Sequence, residues 1–245
     1  MTLILALACK EGLVIASDGQ ETFQTTGQPV KREASKLFQL GKSVVWGASG
    51  HVGLRQVVQK ELDALEKGLT GFDKKPCEEL RPRLVRAVVP IMQQAVKEFV
   101  PVHANARPAS VSLCFSGYTC HEGWILEINE QGHHERHEQR GLCAIGSGDV
   151  LAYHACQSLQ HVFHQDRTLQ QCQALAFRVI DEAINTAAYG LGYPIQMWTV
   201  SSNGAKQLSS SELEAIGTTV RAWKEIELNG FDEVFGGRTS NAALN

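Results

Sequence analysis

The sequence predicts an α+β protein, a four-layer α-β-β-α sandwich in which two antiparallel sheets are flanked by helices. Two features of the pattern carry this expectation. Strand candidates arrive as hairpins rather than as alternating βα units, which argues for antiparallel pairing. Two pairs of helix candidates interrupt the strands, and helices placed between sheet segments pack as outer layers. The size permits such a fold: 245 residues, 43% hydrophobic and 20% charged, suit one large domain that needs no metal or disulfide staple. The expected domain covers residues 2–236, and the small polar stretch 237–245 reads as a frayed tail.

The chain opens with an apolar strand, Leu3 to Cys9, a turn at Lys10-Glu11-Gly12 and a returning strand, Leu13 to Ser17. Thr22 to Val30 is polar, contains Gly27 and Pro29, and reads as a loop. Leu37 to Leu40 and Ser43 to Trp46 form a second hairpin around Gly41-Lys42. Apolar residues at Val52, Leu54, Val57, Val58, Leu62 and Leu65 then take the spacing of an amphipathic helix, stopped by Gly68 and Gly71. A second helix fits Glu78 to Val100, with a kink expected at Pro90. Strands return between Ala109 and Ile128, and Glu135–Glu138 with Leu142–Ile145 reads as a further pair. Gly146-Ser147-Gly148 opens a third helix running towards His164. Thr168 and Gln171 form a capping-box pattern for a fourth helix, to about Ala188. Ile195 to Val200 is a late strand, Asn203-Gly204 a hairpin turn, and Ser209 with Glu212 the cap of a C-terminal helix.

Composition excludes several classes of function. With 23 basic and 26 acidic residues the net charge is -3, so there is no basic footprint for nucleic acid. No apolar run approaches the roughly 20 residues of a membrane helix. Seven cysteines, an odd count without CxxC spacing, read as reduced thiols. The N-terminus lacks a basic region and a signal-length apolar run, so the expected location is cytoplasmic. His133, His134, Glu135 and His137 lack the HExxH spacing and read as a solvated strand more readily than as a surface metal site. No metal and no cofactor is expected.

The chemistry points to Thr2. Removal of Met1 would leave a threonine whose own α-amine, titrating near about pH 8, serves as base for its hydroxyl. In isolation Thr2 is an ordinary strand-start residue. Its company alters the reading: Asp18 ends the second strand, Lys36 precedes Leu37-Phe38-Gln39-Leu40, Gly47 ends Val44-Val45-Trp46, and Ser147 lies in Gly146-Ser147-Gly148. From local sequence alone Ser147 is equally a helix N-cap.

This set resembles the proteasome β subunits and their bacterial relatives, the N-terminal-nucleophile threonine peptidases. Asp18-Gly19-Gln20 is similar to the two-component protease HslV, and Lys36-Leu37-Phe38-Gln39-Leu40 to archaeal β subunits. Ala144-Ile145-Gly146-Ser147-Gly148 is similar to both, and the order of elements matches over roughly residues 2 to 205. The resemblance implies an N-terminal-nucleophile hydrolase sandwich and a role for each residue. Thr2 Oγ would attack a peptide carbonyl, and its amine would move the proton. Lys36, held charged by Asp18, would lower the hydroxyl pKa. The Gly47 N–H would stabilise the oxyanion and Ser147 would support the amine. Val45 would floor the first specificity pocket, favouring apolar or small side chains, with Glu21, Ala34, Phe38 and Ser49 on its walls. The resemblance also implies a homo-oligomer of two stacked rings, with six or seven subunits in each. Its substrates would be peptides or unfolded proteins, with an ATP-dependent unfoldase as a possible partner.

Three departures stand out. The family carries an Asp and a Ser before the late strand, and Ala188 to Pro194 contains neither. The stretch between Asp18 and Lys36 is two residues longer than the family spacing. The segment after Ser209 has no close match. No propeptide is expected before Thr2. The combination resembles a minor bacterial proteasome homologue more than a standard proteasome or HslV. Two alternatives stay open: a ring-forming scaffold with little catalysis, and an amidohydrolase of small amides that uses the same threonine.

Overall fold

The computed structural model describes residues 2–23, 30–101, 106–162, 166–186 and 190–236. In chain order the elements are β1 (Ile4–Cys9), β2 (Gly12–Ser17), β3 (Gln20–Phe23), β4 (Val30–Glu33), β5 (Leu37–Leu40), β6 (Val44–Gly50), α1 (Val52–Gly68), α2 (Cys77–Lys97), β7 (Val111–Thr119), β8 (Glu122–Ile128), β9 (His134–Arg136), β10 (Leu142–Ile145), α3 (Asp149–Ser158), α4 (Leu169–Thr186), β11 (Gln196–Ser201), β12 (Gly204–Gln207) and α5 (Ser210–Phe235). One antiparallel sheet has the order β10-β1-β2-β11-β12 and the other β5-β6-β7-β8-β9, with β3-β4 a separate ribbon.

Alternation along the strands divides the interior into three apolar layers. Leu40, Val44, Trp46, Phe115, Leu126 and Ile128 face α1 and α2, meeting Val58, Leu62, Leu84 and Val88. Leu3, Leu5, Leu7, Val14 and Ala16 face the other way, towards α3 and α4, meeting Ala152, Cys156, Val179 and Ile180. Ile4, Ala6, Leu13, Ile15, Leu37, Val45, Ile125 and Cys143 lie between the sheets. The result is the expected four-layer order. Both capping boxes close: Thr168 and Gln171 exchange bonds of 3.0 and 3.3 Å, as do Ser209 and Glu212 at 2.8 and 3.3 Å.

Several elements differ from the sequence reading. The polar stretch Thr22–Val30 is not all loop: β3 and β4 pair with Gln20 opposite Glu33 and Phe23 opposite Val30. β4 is exposed along its length, so it carries no apolar alternation to betray it. β9 and β10 do not pair with each other. β9 joins β8 and β10 joins β1, in different sheets. α2 contains Pro90 and ends at Lys97 rather than at Val100. α3 ends at Ser158, and its expected end at His164, like that of α4 at Ala188, lies outside the described residues.

The β7–β8 hairpin is packed tightly enough to test. A Cβ on Gly117 would lie 2.2 Å from the Trp124 ring, and that ring is fully buried with its Nε1 donating to Thr119 Oγ1 at 3.1 Å. Gly117→Ala is expected to destabilise the fold by about 1–3 kcal/mol through overpacking, measured as a lower urea midpoint. An unchanged midpoint would mean the indole can shift freely.

Candidate active site

The β1–β2 hairpin brings the chain start to the end of β2, with Ile4 opposite Ser17. Asp18, fully buried, accepts the Leu3 N–H at 2.9 Å and the Lys36 ammonium at 2.7 Å on one oxygen. Its other oxygen accepts the N–H groups of Gln20 and Gly192, each at 3.3 Å. The Lys36 side chain is only 2% exposed. Burial is the larger influence and pushes its ammonium below the usual lysine range, while the charge and hydrogen bond of Asp18 act in the opposite sense.

Residues 146–148 close over Thr2 from the β10–α3 turn. Ser147 Oγ accepts from the Thr2 nitrogen at 3.2 Å, and the Gly148 N–H donates to the Thr2 carbonyl at 3.1 Å. Gly146 has φ +98°, and a Cβ there would sit 2.3 Å from that carbonyl and 2.9 Å from Ser49 Oγ. Only glycine permits both the backbone conformation and the approach. Ser49 therefore borders the same turn. Gly47 packs over Ile4 and Leu37, where a Cβ would meet their methyl groups at 2.8 and 2.9 Å. Thr2, Asp18, Lys36, Ser147, Ser49 and Gly47 thus surround the start of β1.

The remaining expected residues lie around this centre in different settings. Val45 is fully buried in the layer between the sheets. Ala34 is fixed by its backbone, its N–H donating to Gly19 O and its carbonyl accepting from Gln196 Nε2 at 2.8 Å. Glu21 is paired with Arg32 at 3.1 Å and Arg55 at 3.6 Å. Arg55 also lies 5.4 Å from the centre of the Phe38 ring, and Phe38 packs on Trp46.

Three contributors were not legible beforehand. Arg55 joins two expected wall residues and sits on α1, where it reads as a solvated helix position. Gln196 accepts the Lys36 N–H at 3.1 Å and, through Ala34, clamps the segment that presents Lys36; a lone glutamine at a strand start gives no signal. Gly192 stands where the family's supporting Asp and Ser were missed, and it reaches Asp18 through its backbone, its carbonyl also accepting the Gly19 N–H at 2.9 Å. Cavities of about 440 Å³ at the Lys42–Asn203 and Phe177–Leu213 surfaces include none of Thr2, Asp18, Lys36, Gly47 and Ser147, and Gln196 alone of the site residues lines the second. The buried charge pair marks the site, as perturbed ionisable groups often do.

The family description "Proteasome subunit" matches residues 2–193. The chain belongs to the proteasome subunit family. A "Proteasome subunit beta" of Methanococcus maripaludis is 24% identical over 220 residues, covering 87% of this chain and 89% of that protein. Another "Proteasome subunit beta", from Ferroglobus placidus, is 26% identical over 216 residues, covering 88% and 93%. Among solved structures, an Anbu (Gly-1) mutant from Hyphomicrobium sp. strain MC1 superposes with a TM-score of 0.70 over 96% of this chain and 99% of the other, at 17% identity. That likeness is one of fold and agrees with the two antiparallel sheets flanked by helices. Among the described residues of this proteasome-family chain, no helix is long and apolar enough to cross a membrane.

Proposed function

We propose that the chain is a threonine endopeptidase whose nucleophile is Thr2 after removal of Met1. The observation that carries this reading is the double engagement of Asp18 Oδ1, by the amide next to Thr2 and by the buried Lys36 ammonium. That arrangement fixes a cation beside the chain start at a site where a solvated lysine would have no reason to be buried.

The proposed chemistry gives each of these residues a step. With Met1 removed, the Thr2 amine takes the hydroxyl proton and Oγ attacks the peptide carbonyl, forming an ester and releasing the amine product. Lys36 stabilises the alkoxide as it forms, and Asp18 keeps Lys36 charged. The N–H of Gly47 is offered to the oxyanion. Ser147, already 3.2 Å from the Thr2 nitrogen, holds the amine for the second proton transfer, in which water cleaves the ester. Val45, Glu21, Ala34, Phe38 and Ser49 remain the proposed surround of the first specificity pocket. Family membership supports assembly into stacked rings that enclose these sites in a chamber in the cytoplasm, fed with peptides or unfolded chains, with an unfoldase as partner.

The test is intact mass before and after treatment with a peptide epoxyketone, which needs both a hydroxyl and a free α-amine to form its ring adduct. Loss of Met1 with one adduct on Thr2 is the expected result. A Met1-free protein without an adduct would favour the ring-forming scaffold. The observation that favours that second reading is the purely backbone support that Asp18 draws from Gly192.

The same contact yields a further expectation. A Cβ on Gly19 would lie 2.2 Å from the Pro194 carbonyl oxygen, a backbone atom that cannot swing aside. Gly19→Ala is expected to push residues 192–194 off Asp18 and lower kcat/KM for a peptide substrate by roughly ten-fold, with circular dichroism unchanged. Retained activity would make the Gly192 contact incidental.

A further inference from the structure

A second cluster of reactive side chains lies away from Thr2, at the edge where the two sheets meet. His137 follows β9 directly and is buried, contrary to the solvated face expected for it. Its Nε2 is 2.9 Å from Glu127 Oε2, and Cys143 Sγ is 3.7 Å from the same oxygen. The possible ligand atoms of all three residues lie within 4.8 Å of one another. Cys143 stands opposite Ala6 in the β1–β10 register, four residues along from Thr2, so about 13 Å of extended strand separates the two sites.

The setting makes the cluster unusual. Cys143 belongs to the layer between the sheets, whose buried members are otherwise aliphatic or Cys114. A carboxylate and an imidazole bordering such a layer are costly unless something binds them. The other ring nitrogen, Nδ1 of His137, is buried and has no hydrogen-bond partner among the described residues, so the ring's polar side-chain bonding is confined to this cluster. The Glu127 side chain is 23% exposed while that of His137 is 2% exposed, so solvent reaches the cluster from the Glu127 side.

We infer that Glu127, His137 and Cys143 form a binding site for a divalent transition metal of the zinc class. A tetrahedral Zn²⁺ with bonds of about 2.0 Å to N and O and about 2.3 Å to S places its ligand atoms about 3.3 Å (N to O) and about 3.5 Å (S to O) apart. The two separations to Glu127 Oε2 are close to both. The mixed carboxylate, imidazole and thiol set suits zinc rather than magnesium or calcium, which take oxygen ligands. Three ligands leave the fourth position to water on the exposed Glu127 side. Binding requires two protons to leave to solvent, that of the Cys143 thiol and the one held between His137 Nε2 and Glu127 Oε2. Glu127 and His137 come from the sheet that holds β8 and β9, Cys143 from the sheet that holds β10, so the ion ties the two sheets together independently of the Thr2 chemistry.

The experiment is a Co²⁺ titration of the full chain carrying Cys120→Ser, which removes the exposed thiol. One equivalent of Co²⁺ should give a thiolate-to-cobalt absorption in the near ultraviolet and intense visible bands of a four-coordinate ion. Cys143→Ser should abolish the ultraviolet band, and Glu127→Gln and His137→Ala should each weaken binding by about 10–100-fold. Zn²⁺ should displace the cobalt and raise the melting temperature of the parent but not of the Cys143→Ser variant. If that variant fails to fold, Glu127→Gln, which preserves shape, decides. A folded parent with no thiolate band, a band that survives Cys143→Ser, or binding indifferent to Glu127→Gln would each overturn the inference.

Discussion

Thr2→Ala is expected to abolish peptide hydrolysis, with kcat falling by roughly 10³-fold or more, while the protein keeps its fold and assembly state. The substitution removes one hydroxyl and one methyl from a half-buried residue at the chain start. Every structural bond described for Thr2 comes from its backbone: the nitrogen to Ser147 and the carbonyl from Gly148. Alanine retains both, so the effect on stability should stay within about 0.5 kcal/mol. The effect on catalysis is large because no other described group near β1 offers a hydroxyl with its base on the same residue, and nucleophile deletions remove the whole covalent route. Peptide turnover, sedimentation velocity and epoxyketone labelling on one preparation check the three parts. Full activity in the variant would dismiss the threonine mechanism, and loss of assembly together with activity would assign Thr2 a structural role.

The second large effect is expected at Asp18→Asn. The amide keeps the shape of the carboxylate and removes its charge, leaving the buried Lys36 ammonium without the counter-charge that offsets burial. Removing one partner of a buried pair costs about 3–5 kcal/mol, and a denaturant midpoint should register it. The pH dependence carries the sign. Lys36 already titrates below the ordinary lysine value in the folded protein. Between the folded and unfolded values the folded chain binds fewer protons, so its stability contribution rises with pH across that window. Without Asp18 the folded value drops further, the window widens downwards, and the alkaline limb of peptide hydrolysis should move to lower pH. Adding Lys36→Met should restore much of the stability, because a neutral pair in the same volume removes the desolvation cost, and should restore none of the activity. An alkaline limb that stays in place in Asp18→Asn would mean that the charge state of Lys36 does not govern turnover.

The layered order was legible from local signals, whereas the residues grouped around Thr2 became legible only through the resemblance that their spaced motifs carry. Apolar runs in β1 and β2 and partial alternation in β7 marked these segments as strands, and the Ser-x-x-Glu and Thr-x-x-Gln patterns located two helix starts. Asp18 and Lys36 became legible together, since neither is unusual alone. The losses have a common cause: periodicity reveals that a segment is extended and says little about its neighbour. The pair β9 and β10 read as a hairpin and belongs to two sheets. β3 and β4 were hidden because an exposed polar ribbon has no apolar period. His137 was expected to share a solvated face with His133 and Glu135, but β9 ends at Arg136 and the alternation ends with it. Gly192 and Gln196 contribute through the backbone and through a single amide group, which leave no pattern in a sequence.

The grip of Asp18 on Leu3 has a consequence for timing. Asp18 holds the amide one residue inward of Thr2, and Gly148 holds the Thr2 carbonyl. Both contacts lie downstream of the peptide bond joining Met1 to Thr2, and neither depends on whether that bond is intact. On the proposed function, the charge pair and the glycine turn are therefore assembled while the amine is still an amide. Trimming becomes a trigger applied to a finished machine rather than a step in building it. On that reading a chain whose Thr2 nitrogen is still an amide is an assembled but dormant catalyst, and activity appears when that bond is cut.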